Sequence, residues 1–350
     1  MVRRIAFAVP GDIATPTGGY GYDRRVIAEL QAQGWQVDVM SLGDGFPRPN
    51  AEQRAFALAR LKDVPEGVPV VVDGLAFGAL PKEAEAIRGR APIVALVHHP
   101  LALETGLSPA AADALFESER DALACTERVI ATSPSTGRLL SEDYDVPPDA
   151  ITVAPPGTDR GAPARGSTDG IVRLLAVGAV VPRKGFDVLI AGLAPLADLP
   201  WRLTVAGDLT RDQGAAAKLE ADIAEHRLVG RVELLGTVSP ERLGALYAAS
   251  DVFVLASHFE GYGMAYAEAM AHGLPVIGTT GGAIGDTVPA NAGVLVEPGD
   301  VKALTRALRL MIENEAERRW FASGALAAAA DLPTWEETAR RFASAFEGLA

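Results

Sequence analysis

Residues 251–276 read DVFVLASHFEGYGMAYAEAMAHGLPV. Val252 to Leu255 is a short, continuous apolar run, the pattern of a strand buried on both faces. Ser257 to Gly263 is polar and glycine-bearing, as a loop requires. Met264 to His272 carries small apolar residues at helical spacing, and Gly273 and Pro275 stop it. Val276 to Gly278 resumes a strand. A strand, a loop, a helix and a strand in so short a span predict a βαβ unit, which requires a parallel sheet.

The same alternation extends in both directions. Towards the N-terminus it gives strands at Val172–Val177, Arg202–Ala206 and Val232–Leu235, with helices at Gly185–Ala194, Ala215–His226 and Leu243–Ala249. Towards the C-terminus one long helical piece, Val301–Ala330, is broken by Pro333 and followed by a last helix from Trp335 to Phe346. The first half repeats the scheme. Ile5–Val9 is an apolar strand, Pro10–Gly19 a Gly/Thr/Pro loop, Tyr22–Gln33 a helix and Val37–Met40 a strand. Val68–Asp73, Ile93–Val97 and Arg128–Thr132 are further strands. Between the two series, Pro155 to Gly170 is rich in Pro, Gly, Ala and Ser, the composition of a domain boundary. The sequence predicts an α/β protein with two Rossmann-like domains of parallel sheet, 1–165 and 166–330, and a terminal helix, 331–350, crossing back to the first. Ligands of such sheets bind beyond the carboxyl ends of the strands, so two facing sheets predict one deep cleft.

The chain has 350 residues, 49% of them apolar, enough for two packed cores. Formal net charge is −13, and up to Arg160 fifteen Lys+Arg stand against twenty-two Asp+Glu. A nucleic-acid binder needs a basic face, and no Lys/Arg cluster supplies one. No basic amphipathic patch or eighteen-residue apolar run argues for stable membrane insertion. Cys125 is the single cysteine, so no internal disulfide can form, which fits a reducing compartment. Met1-Val-Arg-Arg-Ile fails as a signal peptide because Pro10, Gly11 and Asp12 follow too soon. The expected location is the cytoplasm, and the oligomeric state stays open.

Residues 251–276 also carry two glutamates, Glu260 and Glu268, around Gly261-Tyr262-Gly263. Together with the helix opening at Met264 and the Gly-x-Pro-Val ending, this stretch closely resembles the nucleotide-sugar site of the retaining glycosyltransferases of family 4. The resemblance runs in register over nearly the whole chain. It implies the GT-B fold, two Rossmann-like domains facing across a cleft, and a nucleotide-diphosphate sugar as donor. In the family the first acid positions the sugar and the second holds the ribose hydroxyls. The physics agrees: the glycines let backbone approach a ligand, and the first amides of the helix are free to meet a diphosphate. Taken singly, Glu260 also reads as an electrostatic helix cap and Glu268 as a surface acid.

Val177 to Gly185, VGAVVPRKG, resembles the family's diphosphate clamp. Lys184 matches its lysine. Its usual arginine is replaced by Ala179, and Arg183 either supplies the missing charge or points to solvent. Cations here would stabilise charge on the leaving nucleoside diphosphate. Gly18 and Gly19, placed just before the first helix, offer amides to phosphate. In Val97-His98-His99-Pro100 the resemblance assigns His98 to the neighbourhood of the transferred sugar, with His99 the competing choice. Zinc would need further ligands, and Cys125, His226, His258 and His272 show no ligand spacing. No metal site is expected. Gly207 ends a strand where the nucleotide approaches, and Val238, in Gly236–Ser239, resembles the stretch that reads the base. Gly281 and Gly282 resemble the glycine loop beside sugar and phosphates. Asp286 either replaces a family glutamate or faces water. Asp300 reads as a helix N-cap and Trp335 as packing.

The expected activity is therefore metal-independent, retaining transfer of a hexosyl group to a small-molecule, glycan or lipid acceptor, with His98, Lys184 and Glu260 as the catalytic candidates. No cofactor is expected, and the UDP-, GDP- or ADP-linked donor is not specified. The alternatives are a 2-epimerase-like isomerase of nucleotide sugars and a catalytically decayed nucleotide-sugar binder. A nicotinamide dehydrogenase is disfavoured, since Pro10–Ala14 does not fit G-x-G-x-x-G.

Overall fold

The structure, a computed structural model, describes residues 3–349. Met1, Val2 and Ala350, which the expected domain limits and the signal-peptide reading include, lie outside the described residues. The chain divides into two compact units: one runs to Gly157 and resumes at Pro333, the other is Thr158–Leu332. The seam falls inside the Pro- and Gly-rich stretch of residues 155–170.

In the first unit β1 (Arg4–Val9), β2 (Gln36–Ser41), β3 (Val70–Asp73), β4 (Ile93–Val97), β5 (Arg128–Ala131) and β6 (Ile151–Val153) form one sheet. Its order is β2-β1-β3-β4-β5-β6 and every pairing is parallel. The apolar runs that predict strands are the ones buried on both faces, as in Ile5–Val9 and Ile93–Val97. The first helix, Gly18–Ala32, starts four residues before its expected Tyr22, because the Thr17 side chain caps it by accepting the Tyr20 amide. Gly18 and Gly19 therefore open the helix rather than precede it. The last helix, Trp335–Ser344, returns to this unit. Phe342 stacks on Phe7 at 6.1 Å, Phe346 meets Trp35 at 5.4 Å, and the Thr338 hydroxyl donates to the Pro155 carbonyl at 2.7 Å. Trp335 packs edge-on to Tyr22.

In the second unit β7 (Val172–Val177), β8 (Trp201–Ala206), β9 (Val232–Leu234), β10 (Val252–Val254), β11 (Val276–Thr279) and β12 (Gly293–Val296) are likewise all parallel, in the order β12-β11-β10-β7-β8-β9. Numbered from its own first strand, this is the 3-2-1-4-5-6 order of dinucleotide-binding folds. One expectation is corrected. Val301–Ala330 is two helices, Val301–Glu313 and Glu315–Ala330, because Asn314 adopts extended backbone and its side chain caps the second by accepting the Glu317 amide. Asp300 caps the first by accepting the Ala303 amide. Among the described residues no helix is long and apolar enough to cross a membrane.

Candidate functional site

In the second unit the strand order reverses between β7 and β10, which are neighbours in the sheet. Open α/β sheets bind ligands at the carboxyl ends of such a pair. The chain leaving β7 enters a short 3₁₀ turn, Pro182–Lys184, and the chain leaving β10 runs through Ser257 and Glu260. Gly185 locks the two loops together. It sits at φ +62°, and a Cβ there would lie 2.0 Å from the Ala256 carbonyl oxygen, so no other residue fits. The His258 amide donates to the Arg183 carbonyl at 2.8 Å.

This locking aims both cations at one acid. Lys184 Nζ donates to Glu260 Oε1 at 2.6 Å, the Ser257 hydroxyl donates to the same oxygen at 2.6 Å, and an Arg183 nitrogen donates to Oε2 at 3.1 Å. That arginine also reaches the Phe259 carbonyl at 2.7 Å. Arg183 thus points inward, beside Lys184, and not to solvent. Glu260 is buried. Burial alone would raise its carboxyl, but the charges of Lys184 and Arg183 and the bonds from Lys184 and Ser257 prevail and hold it down at about 2. Two cations thus converge on one carboxylate, an arrangement that can also seat an anion.

The loop after β11 is fastened to the same acid. The Glu260 amide donates to the Gly281 carbonyl at 3.3 Å, and the Glu260 carbonyl accepts the Ala283 amide at 2.8 Å. Gly282, at φ +68°, brings its Cα so near that a Cβ would lie 2.3 Å from the Glu260 carbonyl oxygen. Gly261 and Tyr262 are buried, and the Thr287 hydroxyl donates to the Tyr262 carbonyl at 2.6 Å. Gly263, at φ +92°, starts the helix Met264–Ala271, whose first amides have no partner within the helix.

Glu268, on that helix, answers to other residues. The Tyr247 hydroxyl donates to its Oε2 at 2.9 Å, and the Tyr247 ring stacks on His272 at 5.0 Å. Burial pushes the Glu268 carboxyl up; the bond from Tyr247 opposes this and the charge of Asp159 adds to it. The sequence reading did not single out Tyr247. Gly207 follows β8 and donates its amide to the Gly236 carbonyl at 2.9 Å. Val238 is half-buried just ahead of the helix Pro240–Ala248, and Asp286 is exposed on the short helix Ile284–Thr287.

The first unit gathers a different cluster. His98 follows β4, Asp73 ends β3 and Asp23 lies on the first helix. His98 Nε2 stands 3.3 Å from Asp23 Oδ1 and 3.3 Å from Asp73 Oδ2. Asp23 is 0% exposed and Asp73 2%. The ligand-capable atoms of all three lie within 4.8 Å of one another. Burial would strip the proton from His98, but the two carboxylates outweigh it and raise the imidazole to about 10. Burial likewise raises Asp23, to about 6, against the pull of His98. His99 lies outside this cluster, 3.5 Å from Glu104 Oε2. Gly19 passes over the His98 ring, where a Cβ would lie 3.4 Å from Cδ2. Asp23 and Asp73 carry no spacing motif. The one sequence signal was an aspartate closing the apolar run Val70–Asp73.

Two sequence families divide the chain. Residues 24–161 match Glycosyltransferase Family 4 and residues 164–326 match Glycosyl transferases group 1. The chain belongs to glycosyltransferase family 4. Its relatives include D-inositol 3-phosphate glycosyltransferase of Nocardioides, 30% identical over 264 residues, covering 69% of this chain and 57% of that protein. The chain spans 38% to 65% of the length of the curated relatives it matches. Sucrose-phosphate synthase of Thermosynechococcus elongatus has a solved structure with TM-score 0.82 at 22% identity, covering 99% of each chain. HepE of Anabaena, solved with UDP-glucose, gives TM-score 0.78 at 19% identity over 98% of this chain and 99% of that one. These likenesses show the GT-B fold, built from two Rossmann-like units.

Proposed function

We propose that the chain is a retaining glycosyltransferase that moves a hexosyl group from a nucleoside-diphosphate sugar to the hydroxyl of a small sugar or polyol acceptor. The observation that carries the reading is the pair of cations, Lys184 and Arg183, converging on Glu260 at the switch point of the second unit. In this reading the diphosphate binds the two cations, with helix-start amides at Met264 beside it. Arg183 supplies the second cation that Ala179 cannot. The leaving diphosphate then needs no divalent ion.

Glu260, held ionised, accepts hydrogen bonds from the hydroxyls of the transferred sugar. Glu268, oriented by Tyr247, accepts from the ribose. Gly281 and Gly282 let backbone approach the sugar and phosphates, Gly207 leaves room for the nucleotide, and Val238 lies where the base would be read. Transfer proceeds on the front face: the departing phosphate oxygen takes the acceptor proton as the anomeric carbon–oxygen bond breaks and the new one forms on the same face. Gly18 and Gly19, at a helix start, and His98 are the first unit's own candidates for substrate binding. The names of the inositol-phosphate and sucrose-phosphate relatives, and the UDP-glucose held by HepE, support this substrate class.

The test is release of nucleoside diphosphate from UDP-glucose, GDP-mannose and ADP-glucose, with and without D-inositol 3-phosphate or free hexoses. Acceptor-dependent release with an α-linked product supports the reading. Binding without release would make the chain a decayed binder, and inversion at carbon 2 of the donor an isomerase.

A further inference from the structure

The cluster in the first unit is unlike a simple ion pair. Neither oxygen of Asp23 makes a hydrogen bond to any described residue, nor does Nε2 of His98, although all three atoms are buried. A fully buried carboxylate whose partner in the polypeptide is an imidazole 3.3 Å away, with no well-formed hydrogen bond, is poorly compensated for its lost hydration. The spacing says what would compensate it. A direct charge-assisted N–H···O bond is about 2.7–2.9 Å long. Ligands that each sit about 2.0–2.1 Å from one tetrahedral ion are separated from one another by roughly 3.3–3.4 Å. Both Nε2-to-carboxylate distances are 3.3 Å.

We propose that Asp23 Oδ1, Asp73 Oδ2 and His98 Nε2 bind one divalent transition-metal ion, of the zinc or manganese class. The donors are one imidazole nitrogen and two carboxylate oxygens, a set that suits those ions. Two buried carboxylates and a neutral imidazole carry a charge of −2, which one divalent ion cancels. Asp73 is already oriented for the task, since its other oxygen accepts the Leu75 amide at 2.8 Å and leaves Oδ2 for the ion. The three ligands come from the first helix, the end of β3 and the loop after β4, so only the folded sheet assembles them. Gly19 places no side chain over the ring. His98 keeps 21% of its side chain exposed, but Nε2 is not part of that surface, so the proposed ion would lie on its buried edge. The proposal shares His98 with the transferase reading, but its readout is metal binding rather than turnover, so either can fail without the other.

The test uses the full chain without a histidine tag. After EDTA treatment and gel filtration it is titrated separately with Zn²⁺, Mn²⁺ and, as a spectroscopic probe, Co²⁺. The expected result is one ion per chain, a raised Tm and Co²⁺ absorption of tetrahedral intensity. Asp23→Asn and Asp73→Asn, each checked for folding by circular dichroism, should weaken binding by at least roughly tenfold. Asp38→Asn, at the surface, should change nothing. If an aspartate variant does not fold, the wild-type Co²⁺ spectrum decides. Failure of the wild-type chain to bind any of the three ions, binding that survives both substitutions undiminished, or an octahedral aquo-like Co²⁺ spectrum would overturn the proposal and leave a proton as the only occupant.

Discussion

Lys184 Nζ and Glu260 Oε1 lie 2.6 Å apart, and each side chain is largely hidden from water, at 16% and 9% exposed. They are brought together by two loops from adjacent strands that Gly185 clamps backbone to backbone. A buried ion pair is a weak source of stability, since the desolvation it costs rivals the attraction it gains. Its arrangement here, with Arg183 as a second cation, makes sense as a prepared anion seat.

Removing the lysine should therefore damage function more than fold. Lys184→Ala leaves Glu260 with Arg183 and Ser257, so the acid keeps partners. Turnover should fall by about 10²–10³, the range seen when one charge-stabilising group is lost, and nucleoside-diphosphate affinity should fall with it. Calorimetric titration with UDP, GDP and ADP checks the second effect directly. Unchanged affinity for whichever diphosphate binds would remove Lys184 from the site.

Glu260→Gln should separate binding from transfer. The carboxylate competes with an incoming diphosphate for both cations, so its loss should hold or tighten diphosphate binding while abolishing turnover. The price in stability is a buried, uncompensated charge of about 3–5 kcal/mol at most. The pH sign follows from the depressed carboxyl: its contribution is present above the ordinary 4.5 and is lost as pH falls through about 2. Acid unfolding of the wild type should extend below pH 4, and the variant should lack that limb. Looser diphosphate binding in the variant would refute the competition.

Tyr247→Phe removes the hydroxyl that donates to Glu268 and nothing else of size. Nucleotide affinity should fall by roughly one hydrogen bond, about 1 kcal/mol. The loss should vanish with 2′-deoxyribonucleotides if Glu268 grips the ribose. An equal loss for ribo- and deoxyribonucleotides would assign Tyr247 to packing alone.

Glu119 gives a pH effect of its own. It is 1% exposed, accepts the Leu101 amide at 2.8 Å, and burial lifts it from 4.5 to about 8, opposed by that bond. The folded state holds the proton that the unfolded state releases, so the contribution of Glu119 to stability is fully present below pH 4.5 and is lost as pH rises through about 8. Glu119→Gln should flatten this slope, a difference on the order of a few kcal/mol across the interval. Urea unfolding at pH 5 and pH 8.5 measures it, and a slope unchanged in the variant would contradict it.

The apolar runs of β1, β4, β7 and β10 were legible because strands buried on both faces need nothing else. The residues around Glu260 were legible because glycines and acids cluster there within one loop. The break at Asn314 was not, since side-chain capping overrides a helical pattern that spans it. Nor was the Asp23–Asp73–His98 cluster. Its members lie far apart in sequence, on three elements, and meet only through strand order. Tyr247 escaped for a related reason, since a tyrosine on a helix face reads as core until its hydroxyl is seen to bond Glu268.

The most direct test of the account is a side-by-side measurement of nucleotide-sugar binding by the wild type and by Lys184→Ala, Glu260→Gln and Glu268→Gln, using UDP-glucose, GDP-mannose and ADP-glucose. The account requires that at least one donor binds the wild type and that each substitution changes a different part of its recognition: diphosphate, sugar and ribose. Wild-type indifference to all three donors, or three variants that bind as the wild type does, would contradict it.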